Sequence, residues 1–426
     1  MVGIKVAVIG GGSTYTPELI EGLANRRDRL PMDELVLHDI DAERRDIVGG
    51  LAERMLRRLD WNGRLTLSAD AGDAMDGASF VLLQLRIGGQ AARLVDETLP
   101  LRFGTIGQET TGAGGLAKAL RTVPVVLELA ELAGRRAAPG AWIVDFTNPV
   151  GVVTQALSDA GHRAIGLCNV AISLQRRLAA LLGVEPDRLE LGHVGLNHLS
   201  WITSARFDGV DRLPELLEKH GASIASDLKL PVELIRRLGA VPSYYLRYYY
   251  AFDEVLAEQR AGYRRAEEVM ELERRLLDMY ADPSLDTKPA LLNDRGGAFY
   301  SEAAAALLAS LHDGAGDVQV VDVRNGGAVP ELGADDVVEV PARIDRSGAH
   351  PLPQAPMDPE MLALVGDVKA FERLAIRAAI SGTPEDAQRA LQAHPLVGPR
   401  IGDVRPLLEA MLEANEPHLP RFAAVS

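Results

Sequence analysis

The stretch KVAVIGGGSTYTPEL, from Lys5 to Leu19, constrains the fold more than any other. A run of Val, Ala and Ile ends in three glycines and then a helix-forming segment. This reads as a buried parallel strand, a tight turn and a helix N-terminus. Dinucleotide-binding α/β folds open this way, because glycines let backbone N–H groups approach a pyrophosphate at the start of the helix. Gly10, Gly11, Gly12 and Ser13 are the candidate contacts. The fingerprint Gly-x-Gly-x-x-Gly/Ala holds at Gly10 and Gly12 and fails at Tyr15. A missing third glycine bears on helix–strand packing more than on phosphate binding. A second mark is an acid closing the next strand. ELVLHDID supplies Asp39, in reach of a ribose 2′-OH, which selects NAD over NADP. The alternative is a tight strand–helix turn with no ligand.

Strand-like runs alternate with helical ones up to about residue 170: KVAVIG, ELVLHD, RLTLSAD, ASFVLLQLR, AWIVDFTN and RAIGLCN. The alternation predicts a doubly wound parallel sheet over residues 1–170. Beyond it, LELGHVGLNHLSWITSARFDG and DVQVVDVRNGGAVPELGADDVVEVPARID look antiparallel, with long helical stretches between and after them. Residues 171–426 are therefore expected to form a mixed α+β second domain, closely packed on the first.

The net charge of −15 argues against a nucleic-acid partner, which needs a basic face. It leaves room for a small anion held by a few local arginines. The single cysteine, Cys168, excludes an internal disulfide, and no window approaches the roughly 20 apolar residues of a membrane span. A cytoplasmic protein is expected, with no membrane partner, assembled as a homo-oligomer (dimer or tetramer).

Several polar segments follow directly on strand-like runs, where α/β sheets bind ligands. LQLRIGGQAARLVDE offers Arg86, Arg93, Asp96 and Glu97. GTIGQETTGAGGLAKAL is a Gly/Thr loop entering a helix, whose N–H groups are candidates for an anion or for lining a nicotinamide pocket. DFTNPVG presents Asn148, and GLCNVAIS presents Cys168 beside Asn169. GHVGLNHLSW then brings His198. A thiolate and an imidazole are half of a divalent-metal site, which substrate oxygens can complete; inert packing is the other reading of both. VPSYYLRYYY places five of the chain's nine tyrosines between Tyr244 and Tyr250. In an aromatic-poor chain this suggests a site, although a buried aromatic face would look the same.

In this order, VIGGGSTYTPEL, IGQETTGAGG, FTNP, GLCN, GLNHLSW, YLRYYY, RRAEEVM and RNGGAVP resemble glycoside hydrolase family 4, the NAD- and divalent-metal-dependent glycosidases. The resemblance implies a Rossmann domain followed by a second domain, in the plan of lactate and malate dehydrogenases. It implies NAD at the glycine turn and a metal, usually manganese, on Cys168 and His198. Tyr245 would be the catalytic base, and Arg93, Asn148 and Arg265 would bind substrate. Asn169, following the metal cysteine, is the residue of the 6-phospho-β-glucosidases in this family. An asparagine cannot act as a proton-donating acid. Arg86, Arg93 and Arg265 would then hold a sugar 6-phosphate.

The family stands outside the two-carboxylate scheme of glycoside hydrolysis. The implied chemistry is oxidation at C3 by NAD⁺, removal of the C2 proton by Tyr245, loss of the C1 substituent, addition of water and return of the hydride. Other readings are an NAD-dependent hydroxy-acid dehydrogenase of the same fold, a nucleotide-sensing protein without turnover, and a related glycosidase acting on unphosphorylated or α-linked sugars.

Overall fold

The structure, a computed structural model, describes residues 3–262, 264–296 and 299–423. The expected second domain includes Tyr263, Gly297, Ala298 and residues 424–426, which lie outside the described residues. Six strands come from the first part of the chain: β1 (Ile4–Ile9), β2 (Met32–His38), β3 (Arg64–Ser68), β4 (Phe80–Leu83), β5 (Trp142–Asp145) and β6 (Ala164–Gly166). They lie in the order β3-β2-β1-β4-β5-β6, and every neighbouring pair is parallel. This is the doubly wound order, with its switch point between β1 and β4. β4 is buried along its whole length, as strands covered by helices on both faces must be.

Both antiparallel pairs were placed by their sequence beyond residue 170, and the structure divides them. β7 (Leu189–Leu196), β8 (Leu199–Phe207), β9 (Val210–Asp211) and β10 (Val241–Pro242) make a separate four-stranded sheet. β11 (Asp317–Arg324), β12 (Val337–Asp345) and β13 (Gly348–Pro351) instead extend the first sheet to nine strands, β11 pairing antiparallel with β6 at Asp322 and Gly166. Gly166 permits the join. A Cβ there would lie 2.2 Å from Thr154 Oγ1 and 2.9 Å from Asp322 Cβ. Position 170 thus marks a change of topology, and the two parts share one sheet.

The core follows. Ile20 and Leu23 of helix Thr16–Ala24 pack with Leu307 and Leu308 of helix Tyr300–Asp313 against the first sheet. Burying each such side chain contributes about 1.5–3 kcal/mol. The helical run after Tyr244 is broken into a 3-10 turn, Tyr244–Leu246, and helices Arg247–Tyr250, Phe252–Arg260 and Arg265–Tyr280. The last of these lies against helices Ala42–Arg58 and Gly89–Thr98 of the first part of the chain. No helix among the described residues is long and apolar enough to cross a membrane.

Candidate active site

A cavity of about 1440 Å³ runs along the carboxyl ends of the parallel strands. Ligand pockets commonly enclose about 300–1,000 Å³, so this one has room for more than one small molecule. Gly10, Ser13 and Asp39 line it after β1 and β2, and Asn148, Asn169 and Tyr245 line it toward the β5 and β6 side.

At the first end the glycines act mainly by lacking side chains. Gly10 has φ +90°, and a Cβ on it would lie 2.7 Å from Gln84 O. A Cβ on Gly11 would meet Leu37 at 2.9 Å, and one on Gly12 would meet Asp39 Oδ2 at 2.8 Å. The turn satisfies many of its own donors. Gly10 N and Gly11 N donate to His38 O, Ser13 N to Gly10 O, and Gly12 N to Asp39 Oδ2 at 2.9 Å. Direct N–H donation to a ligand is therefore a smaller part of these glycines' role than the sequence suggests; close approach of the backbone is the larger part. Tyr15 ends the turn as the residue preceding helix Thr16–Ala24. Its ring meets Tyr300 edge-on, with centroids 6.1 Å apart.

The Gly/Thr loop differs from expectation in the same way. Thr111 N donates to Gln108 Oε1 at 3.1 Å and Gly112 N to His394 Nε2 at 3.0 Å, so those donors are not turned to an anion. What the loop contributes is side chains. Thr110 Oγ1 lies 2.9 Å from His198 Nδ1, which leaves Nε2 as the ring nitrogen to ligate a metal.

At the second end, Cys168 precedes helix Asn169–Leu182 and is buried. His198 sits in the β7–β8 turn with φ +63°. Its ring stacks on Tyr245, with centroids 3.6 Å apart and planes 6° from parallel. Tyr245 forms the wall between the large cavity and a small one of about 20 Å³ that His198 and Asn197 also line. Burial pushes the Tyr245 phenol well above its usual range, Cys168, Tyr248 and Glu109 add to this, and Arg93 opposes it. Burial also raises the Cys168 thiol and pushes the His198 imidazole down to about 4. Asn148 Oδ1 is buried without a hydrogen-bond partner among the described residues, on the wall of the large cavity.

The donor set fits a divalent transition metal. A soft thiol and a neutral imidazole whose other nitrogen is hydrogen-bonded are suited to it. Among the described residues no group of three His, Cys, Asp or Glu forms a closed cage, so oxygens of a bound molecule would have to complete the shell.

Between the two ends the wall is crowded with charge. Glu109 forms close ion pairs with Arg86 and Lys118 and lies 3.3 Å from Arg93, which also pairs with Glu97 at 2.7 Å. Burial works against the Glu109 carboxylate, but Arg86, Lys118 and Arg93 outweigh it and hold it well below the usual range. Burial, helped by Arg86, pushes Lys118 down to about 7 against the pull of Glu109. Arg265 lines the cavity too, donating to Glu268 at 2.9 Å and to Asp294 O at 2.9 Å. The three arginines read from the sequence are thus all on the wall, each already paired. The sequence does not reveal Glu109 and Lys118 as partners, although both lie in the Gly/Thr loop and the helix it enters. A glutamate and a lysine nine residues apart across a loop–helix junction carry no periodic signal. Asp96 stands apart from the site, fully buried against Arg121.

Comparison with known proteins places the whole chain in one family. Residues 5–184 match the family 4 glycosyl hydrolases and residues 193–397 match that family's C-terminal domain. The Escherichia coli 6-phospho-beta-glucosidase is 37% identical, over 99% of this chain and 97% of that one. The Thermotoga maritima 6-phospho-beta glucosidase, solved with manganese, NAD+ and glucose-6-phosphate, superposes with a TM-score of 0.92 at 35% identity, over 97% of this chain and 99% of that one. A malate dehydrogenase from Plasmodium falciparum, 13% identical with a TM-score of 0.54 over 88% of this chain and 98% of that one, shares the fold. With both halves matched, the chain belongs to the family 4 glycosyl hydrolases and is a glycoside hydrolase.

Proposed function

We propose that this chain hydrolyses 6-phospho-β-glucosides with NAD and a divalent metal, manganese first among them. The observation that carries the proposal is Tyr245, on the wall of the cavity that also holds Gly10, Ser13 and Asp39, stacked on His198 behind it. The stack sets a candidate metal ligand against a candidate base, in reach of a nucleotide site. The ligands of the Thermotoga maritima relative support the same inventory. When bound, the dinucleotide supplies a hydride acceptor and donor for transient oxidation at sugar C3, and the metal supplies Lewis acidity at the C2 and C3 oxygens. Cys168 and His198 would hold the metal. Tyr245 takes the C2 proton as general base. Asn148, with its unpartnered Oδ1 on the wall, accepts from a sugar hydroxyl, and Asn169 orients the ring without protonating the leaving group. Arg86, Arg93 and Arg265 receive the 6-phosphate by charge-assisted hydrogen bonds. Loss of the C1 substituent, addition of water across C1 and C2 and return of hydride to C3 complete a cycle with no net oxidation. Asn169 on the cavity wall supports the β-linked phosphosugar over the α-linked one.

The deciding experiment is hydrolysis of p-nitrophenyl 6-phospho-β-glucoside with and without NAD⁺ and Mn²⁺, after tightly bound cofactor has been removed. Release of nitrophenol that needs both is expected. Turnover without either overturns the mechanism. Net NADH from a 2-hydroxy acid instead would favour the dehydrogenase reading. Equal kcat/KM for the unphosphorylated β-glucoside would remove the phosphate role. The same reading places the enzyme in the cytoplasm, where phosphorylated sugars and an unpaired thiol are at home, as a dimer or tetramer that sedimentation analysis can count.

A further inference from the structure

One arginine on the cavity wall has no part in the mechanism above. Arg295 ends the 3-10 segment Ala290–Arg295 and lines the large cavity. Its Nη2 lies 2.7 Å from Glu273 Oε1. Its guanidinium carbon lies 5.6 Å from the centroid of the Tyr15 ring, within the range of a cation–π contact. Its Nε is buried and has no hydrogen-bond partner among the described residues. A buried N–H without an acceptor is costly, and a fixed guanidinium fork matches phosphoryl oxygens.

The surrounding charge has the right sign. Five basic groups, Arg44, Arg86, Arg93, Lys118 and Arg295, share three carboxylates, Glu97, Glu109 and Glu273. In a chain of net charge −15, this cluster holds more basic groups than carboxylates, and the cavity lining as a whole carries eight Lys and Arg against seven Asp and Glu, which suits an anionic ligand. Arg86 and Arg93 also act on Arg295, and with burial they lower its proton affinity against the pull of Glu273. An incoming anion relieves that mutual repulsion.

Tyr15 explains how this arginine is placed. It stands where the nucleotide fingerprint has Gly or Ala, and its ring reaches from the nucleotide turn to Tyr300 on one side and Arg295 on the other. The geometry points to Arg295, held between Tyr15 and Glu273, as a further phosphoryl-binding residue at the junction of the nucleotide and sugar ends. The ligand chemistry is a phosphate oxygen, from the 6-phosphate of the sugar or from the pyrophosphate of the dinucleotide. The inference rests on the proposed reading of this cavity.

Two titrations of the full chain test it: glucose 6-phosphate into protein saturated with NAD⁺ and Mn²⁺, and NAD⁺ into protein alone. They are run on wild type, Arg295→Met and Arg295→Lys, with melting curves on each. Losing a charge-assisted hydrogen bond weakens binding by about 10- to 100-fold. A loss of that size in Arg295→Met for glucose 6-phosphate alone assigns the sugar phosphate; a loss for NAD⁺ alone assigns the pyrophosphate. Arg295→Lys, which keeps charge without the fork, should fall between. Wild-type affinity for both probes in Arg295→Met overturns the assignment. So does a loss of both affinities accompanied by a lower melting midpoint, which marks a structural role. If wild type binds neither probe, the reading of the cavity falls first and this inference with it.

Discussion

The proposed nucleotide end and the proposed sugar end of the cavity are built from different materials. The nucleotide end is backbone: Gly10, Gly11 and Gly12 press against Gln84 O, Leu37 and Asp39 with no space for a Cβ. The sugar end is side chains: Tyr245 stacked on His198, and Glu109 under three cations. A backbone site is damaged by adding atoms, whereas a side-chain site is damaged by removing a functional group while keeping its shape. The two ends should therefore fail in different ways. The first should lose affinity and stability together, and the second should lose chemistry while the fold survives.

The largest effect is expected at Cys168. Cys168→Ser keeps the size of the residue, but a hydroxyl stays protonated where a thiol ionises on a metal. Changes one shell further out already cost about 10- to 100-fold in metal affinity, so this one should exceed about 100-fold and take turnover with it. Bound manganese by elemental analysis, beside circular dichroism, checks it. A variant that keeps its metal and most of its activity would make Cys168 a packing residue. Tyr245→Phe comes next. It keeps the ring against His198 and removes the hydroxyl, so NAD⁺ affinity should hold while the rate falls about 10²- to 10⁴-fold. Wild-type product formed in D₂O should carry deuterium at C2, and the variant should lose that exchange in step with its rate. Exchange that persists would move the base to Tyr244 or Tyr248.

The same contrast decides what was legible in the sequence. The glycine turn and Asp39 are short local patterns, and their chemistry can be argued from one strand, one turn and the end of the next. Cys168, His198 and Tyr245 come from a strand end, a hairpin turn and a 3-10 segment. No periodicity links them, and only a resemblance over the whole chain joins them. Glu109, Lys118, Glu273 and Arg295 carry no such mark, because a long-range ion pair has no sequence signature. Even the local reading overstated backbone N–H groups: those of Gly10 to Ser13, and of Thr111 and Gly112, have partners within the protein. The place of β11–β13 is hidden for a similar reason. An antiparallel pair looks alike whether it founds a new sheet or extends an old one, and Gly166 opposite Asp322 decided the matter.

At the backbone end, Gly10→Ala meets two penalties: φ +90° and a backbone oxygen 2.7 Å from the new Cβ. Gly89 has φ +62° and nothing within 4 Å of the place a Cβ would take, so Gly89→Ala meets the first penalty alone. About 1–2 kcal/mol is expected for Gly89→Ala and about 3 kcal/mol for Gly10→Ala, with NAD⁺ affinity falling only in the latter. Denaturant titration of both variants checks this. Equal losses would mean that close approach to Gln84 is not what the glycine is for.

The smallest effect is expected one residue away from a large one, on helix Arg265–Tyr280. Glu273 faces inward, with its side chain 8% exposed, and accepts from Arg295, Arg44 and Gln90. Arg274 stands at the cavity's outer rim, mostly in solvent with its side chain 62% exposed, pairing with Glu271 and Asp278 on its own helix. Glu273→Gln leaves two guanidiniums without their anion and should cost about 1–3 kcal/mol at pH 7. Burial works against the Glu273 carboxylate, but Arg295 and Arg44 outweigh it and hold it below its unfolded value. Its contribution is therefore complete above the unfolded value and is lost as pH falls through the folded one. The gap between Glu273→Gln and wild type should close on acidification. Arg274→Ala removes exposed pairs of a kind that often contributes nothing measurable, so its melting midpoint should match wild type at every pH. Raising the salt to about 0.5 M NaCl should leave that match unchanged, because screening weakens exposed pairs far more than buried ones. If Arg274→Ala were as damaging as Glu273→Gln, the stability of this helix would come from its surface charges, and the buried pairs bridging it to the cavity would lose their claim to hold it there.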